Sequence, residues 1–571
     1  MKARRDFSIS AVFSLLLTVS VGCASEEESP TDNPQLLPVV RINQDIDTPT
    51  TWIPANLYLI EKSISVTAAL TIQPGTIVKL EEGLSISVNA GGTIVADAES
   101  AATPCLFTSV KDDANGGDTN LDGNTTSPAP GDWAYINVRE NGTVFNYCTF
   151  TYGGANMPYT GTLVLANDAS ATVTNCTFAH NQGGTLTDTR AAALNAGSAG
   201  AATVITGNTF FDNDMPLVIN GKFSIDDSNV FHELIGGNVV TNTFNGIFWG
   251  GGYALVGDIN WSNTDVPYVI IDNPLGIPAG ASLTLGDNVV IKFDDGQRID
   301  VAGTLTADAT TDIVFTSILD DSVGGDTNGD ASTTTPAPGD WGHVGVSADG
   351  SLFNRCRFTF GGSAEPYSGT LAVTHGANVT ITHSTFAHNA GGDPDDNRAA
   401  ALNLGGAGAS TVVTDNLFYD NDMPLVINGQ VNVDDSNVFH FGEVTPIRNY
   451  YNGIFMDGTS HAVSGSTSWS NTEVAYVLFG NTLSIETTGT LTLGDNVVVK
   501  SDGARIDLMG ALIEGTDDVF TSFMDDTWAG DTNGDGSDTE AAAGDWPGIN
   551  DCRDGSCAYV AGANILYAAH P

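Results

Sequence analysis

Positive charge is what this chain has least of. Nineteen Lys and Arg stand against 68 Asp and Glu, a formal charge of −49. The deficit excludes nucleic-acid binding, because neutralising phosphates needs clustered Lys and Arg. It equally excludes electrostatic docking on anionic lipid. Total charge is low as well, at 15%, while hydrophobic residues reach 41%, so the sequence is not a disordered acidic tail. Strong helix formers are scarce. Beyond the N-terminus no apolar run is long enough to span a bilayer. Abundant instead are Asn, Asp, Thr and 65 glycines with no collagen period. A length of 571 residues exceeds one domain. The composition is that of an acidic, extracellular, turn-rich, all-β chain.

The first 22 residues read as an export signal. Met1-Lys2-Ala3-Arg4-Arg5 is a basic start, and Phe7 to Val21 is an apolar stretch too short for a comfortable membrane span. Ser20-Val21-Gly22-Cys23 has the layout of a bacterial lipobox, which makes Cys23 the lipidation candidate; Ser20 stands where Leu is usual. Residues 23–46 then read as an acidic, Pro-containing tether. The expected location is the outer membrane or cell surface, with membrane contact only through the lipid anchor.

Internal repetition dominates the remainder. Gly-Asp-Trp recurs at Trp133, Trp341 and Trp546, spaced 208 and 205 residues, and a second anchor recurs at Trp52, Trp261 and Trp469, spaced 209 and 208. These periods define units at 47–258 and 259–466, and a partial third at 467–571. Within each unit, runs such as Leu84 to Val88 place apolar residues at every second position, which is strand periodicity. Asn175-Cys176-Thr177-Phe178, Asn208-Thr209-Phe210-Phe211 and Asn229-Val230-Phe231 recur at about one solenoid coil. Stacked coils would pile the aromatic rings inside and let the Asn amides form ladders at the corners. The expected fold is a right-handed parallel β-helix built from long internal repeats. The Trp residues of Gly-Asp-Trp are expected as buried anchors beneath the acidic loops, with exposed sugar platforms as the alternative.

Pro74-Gly75-Thr76-Ile77-Val78-Lys79, Phe315-Thr316-Ser317, Gly324-Gly325-Asp326-Thr327-Asn328-Gly329-Asp330 and Pro336-Ala337-Pro338-Gly339-Asp340-Trp341 carry a family resemblance. With them the chain resembles bacterial exported proteins with pectate-lyase-like right-handed β-helix regions. The resemblance implies architecture over nearly all of the mature chain. It does not imply a reaction, since fold does not transfer function.

Three loops share D-x-N-x-D spacing: Asp118, Asn120, Asp122; Asp326, Asn328, Asp330; and Asp531, Asn533, Asp535. Alternate oxygen side chains on a tight loop converge on one point, as in the first half of an EF-hand loop, and an all-oxygen site favours Ca²⁺. Gly123 and Gly536 take the sharp-turn position, where the second loop has Ala331; Ala129, Ala337 and Ala542 stand where a bidentate Glu would complete the motif. A further carboxylate is therefore sought in Asp132, Asp340 and Asp545, or in the pairs Asp112-Asp113, Asp320-Asp321 and Asp525-Asp526. The alternative is an Asx-turn without an ion.

For catalysis, the candidates are a duplicated set of His180, Asp188, Arg190 and His388, Asp396, Arg398. A flank salt bridge with a turn histidine is the plainer reading. Uronate lyase chemistry needs a cationic base beside Ca²⁺, and few basic residues recur: Lys79, Lys292 and Lys500, Arg190 and Arg398, Arg298 and Arg505. Asn263-Thr264-Asp265 is present, but the Gly-His-Gly and Arg-Ile-Lys patterns of polygalacturonase-like proteins are absent. Six cysteines remain after Cys23. Cys552 and Cys557 are expected to close a small loop, and Cys148 and Cys176 fall near one coil apart. These readings converge on a Ca²⁺-binding surface lipoprotein for adhesion or glycan binding, with a glycan or cell-surface ligand as partner. A polysaccharide lyase or glycoside hydrolase, and a structural spacer, are the alternatives.

Overall fold

The structure, a computed structural model, describes residues 37–155, 157–186, 191–250, 252, 254–365, 368–394, 399–456 and 461–570. Among them there is no helix, and nearly all strand pairs are parallel. In the first unit the strands form three parallel stacks, and the fold begins earlier than the 47 boundary, since Val39–Ile42, within the stretch read as a tether, pairs with Leu57–Ile60. The first contains Val39–Ile42, Leu57–Ile60, Ile77–Leu80, Cys105–Ser109, Cys148–Thr151, Thr177–Ala179 and Thr209–Phe211. The second contains Thr50–Trp52, Ala69–Ile72, Thr93–Asp97, Thr143–Asn146, Ala171–Thr174 and Val204–Thr206. The third contains Ile64–Val66, Ser85–Val88, Tyr135–Val138, Gly161–Leu165, Ala192–Asn195, Leu217–Ile219 and Ile247–Trp249.

A left-handed residue sits at the sharp corner from the second stack back to the first, and at the equivalent corners of the second unit. Tyr147, Asn175, Arg355 and His383 stand there with φ of 50°, 54°, 58° and 52°. Left-handed backbone is uncommon outside Gly and most tolerated by Asn, Asp and His. The strands alternate as the sequence pattern requires: Ser85–Val88 buries every second residue.

Rings and amides run in register through the core. Phe107, Phe150, Phe178, Phe210 and Phe231 stack with centroids 5.0, 4.8, 5.0 and 5.1 Å apart. Phe315, Phe358, Phe386, Phe418 and Phe439 repeat the pile at 4.7, 5.0, 5.1 and 5.1 Å. Each buried ring contributes roughly 1.5–3 kcal/mol by leaving water, and each stacked pair about 0.5–1.5 kcal/mol beyond that. At the corners Asn181 Nδ2 donates to Asn213 Oδ1 at 2.9 Å, and Asn213 Nδ2 to Asn242 Oδ1 at 2.8 Å. Asn389, Asn421 and Asn449 form the same ladder at 2.9 and 2.8 Å. The ring piles are present as expected. Of the asparagines in the recurring phrases, Asn208 Nδ2 donates to Asn229 Oδ1 at 3.0 Å, whereas Asn175 bonds Asn146 instead, and the ladders through Asn181 and Asn389 use asparagines outside those phrases.

The units do not continue one another stack for stack. Ile247–Trp249, at the end of the third stack, pairs with Tyr268–Ile270 and through it with Val290–Phe293. Val290–Phe293 carries Lys292 and is the counterpart of Ile77–Leu80, which lies in the first stack of its own unit. The second junction repeats the change. Leu425–Ile427 leads through Gly453–Met456 and Ala475–Phe479 to Val498–Asp502, which carries Lys500. That sheet began at Leu275–Ile277. Equivalent strands therefore belong to three different sheets in the three units.

Candidate acidic loop sites

Each acidic loop leaves the lysine-bearing stack and is closed by the Gly-Asp-Trp segment. Trp133, Trp341 and Trp546 are all buried, with Nε1 donating at 2.8 Å to the carbonyls of Thr151, Thr359 and Leu566. They are anchors, not platforms. Close packing enforces a glycine beside the first: a Cβ on Gly153 would lie 2.6 Å from the Trp133 ring. The aspartates of Gly-Asp-Trp fasten the loop ends and do not reach the acidic cluster. Asp132 accepts from Ser109 Oγ at 2.7 Å and from Lys111 Nζ at 2.8 Å, and Asp545 accepts from Ser522 Oγ at 2.6 Å.

The carboxylates that do converge are Asp113, Asp118 and Asp122; Asp321, Asp326 and Asp330; and Asp526, Asp531 and Asp535. Within each group the candidate ligand oxygens all lie within 4.8 Å of one another. Two of the three come from the D-x-N-x-D motif, and the third is the second member of the preceding acidic pair. The first member is buried and used otherwise: Thr108, Thr316 and Thr521 donate to Asp112, Asp320 and Asp525 at 2.7, 2.8 and 2.5 Å. Asp326 is also the hinge of an Asx-like turn, accepting from Gly329 N at 2.7 Å and Ala331 N at 2.8 Å. The motif asparagines brace the cluster by donating to Asp122, Asp330 and Asp535 at 2.9, 3.1 and 2.9 Å.

Several oxygens of these loops are shielded from solvent and accept no hydrogen bond: Asp113 Oδ1, Asn120 Oδ1, both carboxylate oxygens of Asp321, and Asp526 Oδ1. Such orphans are costly unless something supplies positive charge. Burial, then the neighbouring Asp118, holds Asp113 above the ordinary carboxylate range; burial and Asp531 do the same for Asp526. The Thr126, Thr334 and Thr539 hydroxyls pull Asp122, Asp330 and Asp535 below it. An oxygen-only cage with shielded, unpaired acceptors fits a hard divalent cation such as Ca²⁺.

Beneath each cluster lies a fully buried lysine, which the sequence marked only as a recurring cation. Lys79 Nζ donates to the carbonyls of Asp112 and Gly117 at 2.8 and 2.7 Å. Lys292 Nζ donates to Gly325 O at 2.6 Å, and Lys500 Nζ to Gly530 O at 2.6 Å and Thr532 Oγ1 at 2.8 Å. Burial lowers the Lys79 ammonium from its usual range and brings Lys292 and Lys500 down to about 8, against the opposing pull of the nearby aspartates.

Of the catalytic candidates, Asp188, Arg190, Asp396 and Arg398 lie outside the described residues, as does Cys23. His180 and His388 are half-exposed corner residues with Nδ1 at 2.6 and 2.7 Å from Asp212 and Asp420. Tyr152 and Phe360 stack on their rings at 5.3 and 5.4 Å. Cys552 and Cys557 are disulfide-bonded. Cys148 and Cys176 are free and form a thiol column with Cys105, the register partner of Cys148. Cys148 N donates to Cys176 Sγ at 3.4 Å, and in the next unit Ser384 Oγ accepts from Cys356 N at 3.1 Å, so thiol and hydroxyl fill one structural role. No family model, curated protein or solved structure matches the chain.

Proposed function

We propose that this protein is an exported, lipid-tethered surface rod, a right-handed parallel β-helix of the pectate-lyase-like kind whose three acidic loops each hold Ca²⁺. The observation that carries the reading is the threefold recurrence of a carboxylate trio with solvent-shielded, unpaired oxygens. On this reading the ions neutralise part of the −49 charge, and the rod serves adhesion or glycan binding, with Ca²⁺ bridging any acidic sugar to an acidic protein. Calcium titration of the EDTA-treated protein tests the metal, with three ions per chain expected. Absence of binding heat together with an unchanged melting temperature would remove it. A glycan array with and without Ca²⁺ tests the ligand class; silence in both conditions would favour a spacer role.

A further inference from the structure

The second and third acidic loops do not pack only on their own units. A Cβ placed on Gly329, between Asn328 and Asp330, would lie 3.0 Å from the Phe244 ring, and one on Gly534, between Asn533 and Asp535, 2.9 Å from the Tyr450 ring. Thr327 and Thr532 press likewise on Gly246 and Gly453. All four of these neighbours belong to the segments where one unit hands over to the next. The loop entrances add an apolar cover. Ile318 and Leu319 pack with Phe244 over the outer side of Val218 and Phe248, and Phe523 and Met524 pack with Tyr451 over Val426 and Phe455.

The first loop supplies an internal control. Its counterpart of Gly329 and Gly534 is Leu121, which is 81% exposed despite a φ of 61°. Glycine holds this left-handed position where an aromatic ring of the preceding unit lies against it. In the first loop a bulky, exposed leucine occupies it instead.

We propose that the second and third acidic loops are cation-operated clasps across the inter-unit junctions, so that filling them stiffens the joints and emptying them loosens the joints while leaving the rungs within each unit paired. The clasp rests on the Ca²⁺ reading above. One ion would tie Asp321, next to the apolar cover, to Asp326 and Asp330, which flank the glycine under Phe244; Asp526, Asp531 and Asp535 would act likewise under Tyr450. Linkage makes the idea testable from both directions: if the ion tightens the aromatic contact, removing the contact must weaken the ion by the same factor.

The test uses the full chain with Ca²⁺ alone as probe. Hydrogen exchange is followed at the segments around Phe244 and Tyr450 and at mid-unit strands such as Thr143–Asn146. The clasp predicts that Ca²⁺ slows exchange at both junctions at least about fivefold, with little change at mid-unit. Tyr450→Ala, an exposed position that the fold tolerates, should weaken one of three calcium sites by a similar factor; Phe244→Ala should weaken a different one. Three ions bound with unchanged junction exchange, or with unaltered affinity in both variants, would overturn the clasp and leave the metal reading standing. No calcium binding would overturn both.

Discussion

Lys292 shows how a cation in an acid-rich chain can be structural and not catalytic. Its ammonium is fully buried, bonded to the Gly325 carbonyl, and faced by Asp320, Asp321 and Asp326. Lys292→Met keeps the volume but leaves that carbonyl and the surrounding carboxylates uncompensated. We expect a loss of about 2–3 kcal/mol in denaturant unfolding without calcium; an unchanged midpoint would contradict the role. His343 gives a pH signature. Burial chiefly holds its imidazole below the ordinary range, although Asp300 opposes this. Between the folded and unfolded pKa values the unfolded chain binds the extra proton, so stability falls as pH drops from the unfolded value through the folded one. Stability curves over pH 7 to 5 should be flatter in His343→Gln than in the parent protein. Equal slopes would discard the assignment.

Asn421 carries the element scale, because one side chain serves three successive rungs. It donates to Phe386 O at 2.8 Å and Asn449 Oδ1 at 2.8 Å, and accepts from Asn389 Nδ2 at 2.9 Å. Asn421→Leu strands several buried partners at once, and we expect a cost of about 3 kcal/mol or more, with exchange protection lost in the rungs on either side. A cost under about 1 kcal/mol would mean the ladder is decoration. The ring piles were legible in the sequence because an Asn shortly before a buried-type aromatic recurs once per coil, and stacking in register follows from equal spacing. The ladder through Asn389, Asn421 and Asn449 was not, because those asparagines follow the rings and lie outside the recurring phrases. The ligand trio was only half legible: D-x-N-x-D marks two carboxylates, but the choice of Asp321 over Asp320 depends on which one Thr316 captures. The change of stack at each junction left no mark, since Trp52, Trp261 and Trp469 keep their period whichever sheet their unit joins.

At the scale of the whole molecule, Ca²⁺ held by the three loops as proposed would couple stability to free calcium. Any ion bound only by the folded form contributes RT ln(1 + [L]/Kd), so above saturation each filled site adds about 1.4 kcal/mol per tenfold rise in calcium. Urea unfolding at two saturating calcium concentrations tenfold apart should therefore differ by about 4 kcal/mol for three sites in a cooperative transition; coincident curves would show that none of the loops is loaded.

The change of stack at each junction also bears on what can engage all three loops. The acidic loops follow Cys105–Ser109, the end of Thr304–Ser317, and Val519–Ser522, strands of three different sheets. The three loops repeat in sequence, but each extends a different sheet, so they are not copies shifted along one common face. A partner cannot grip all three by repeating one contact down a single sheet. A flexible polymer chain can meet each loop on its own terms where a rigid plane cannot.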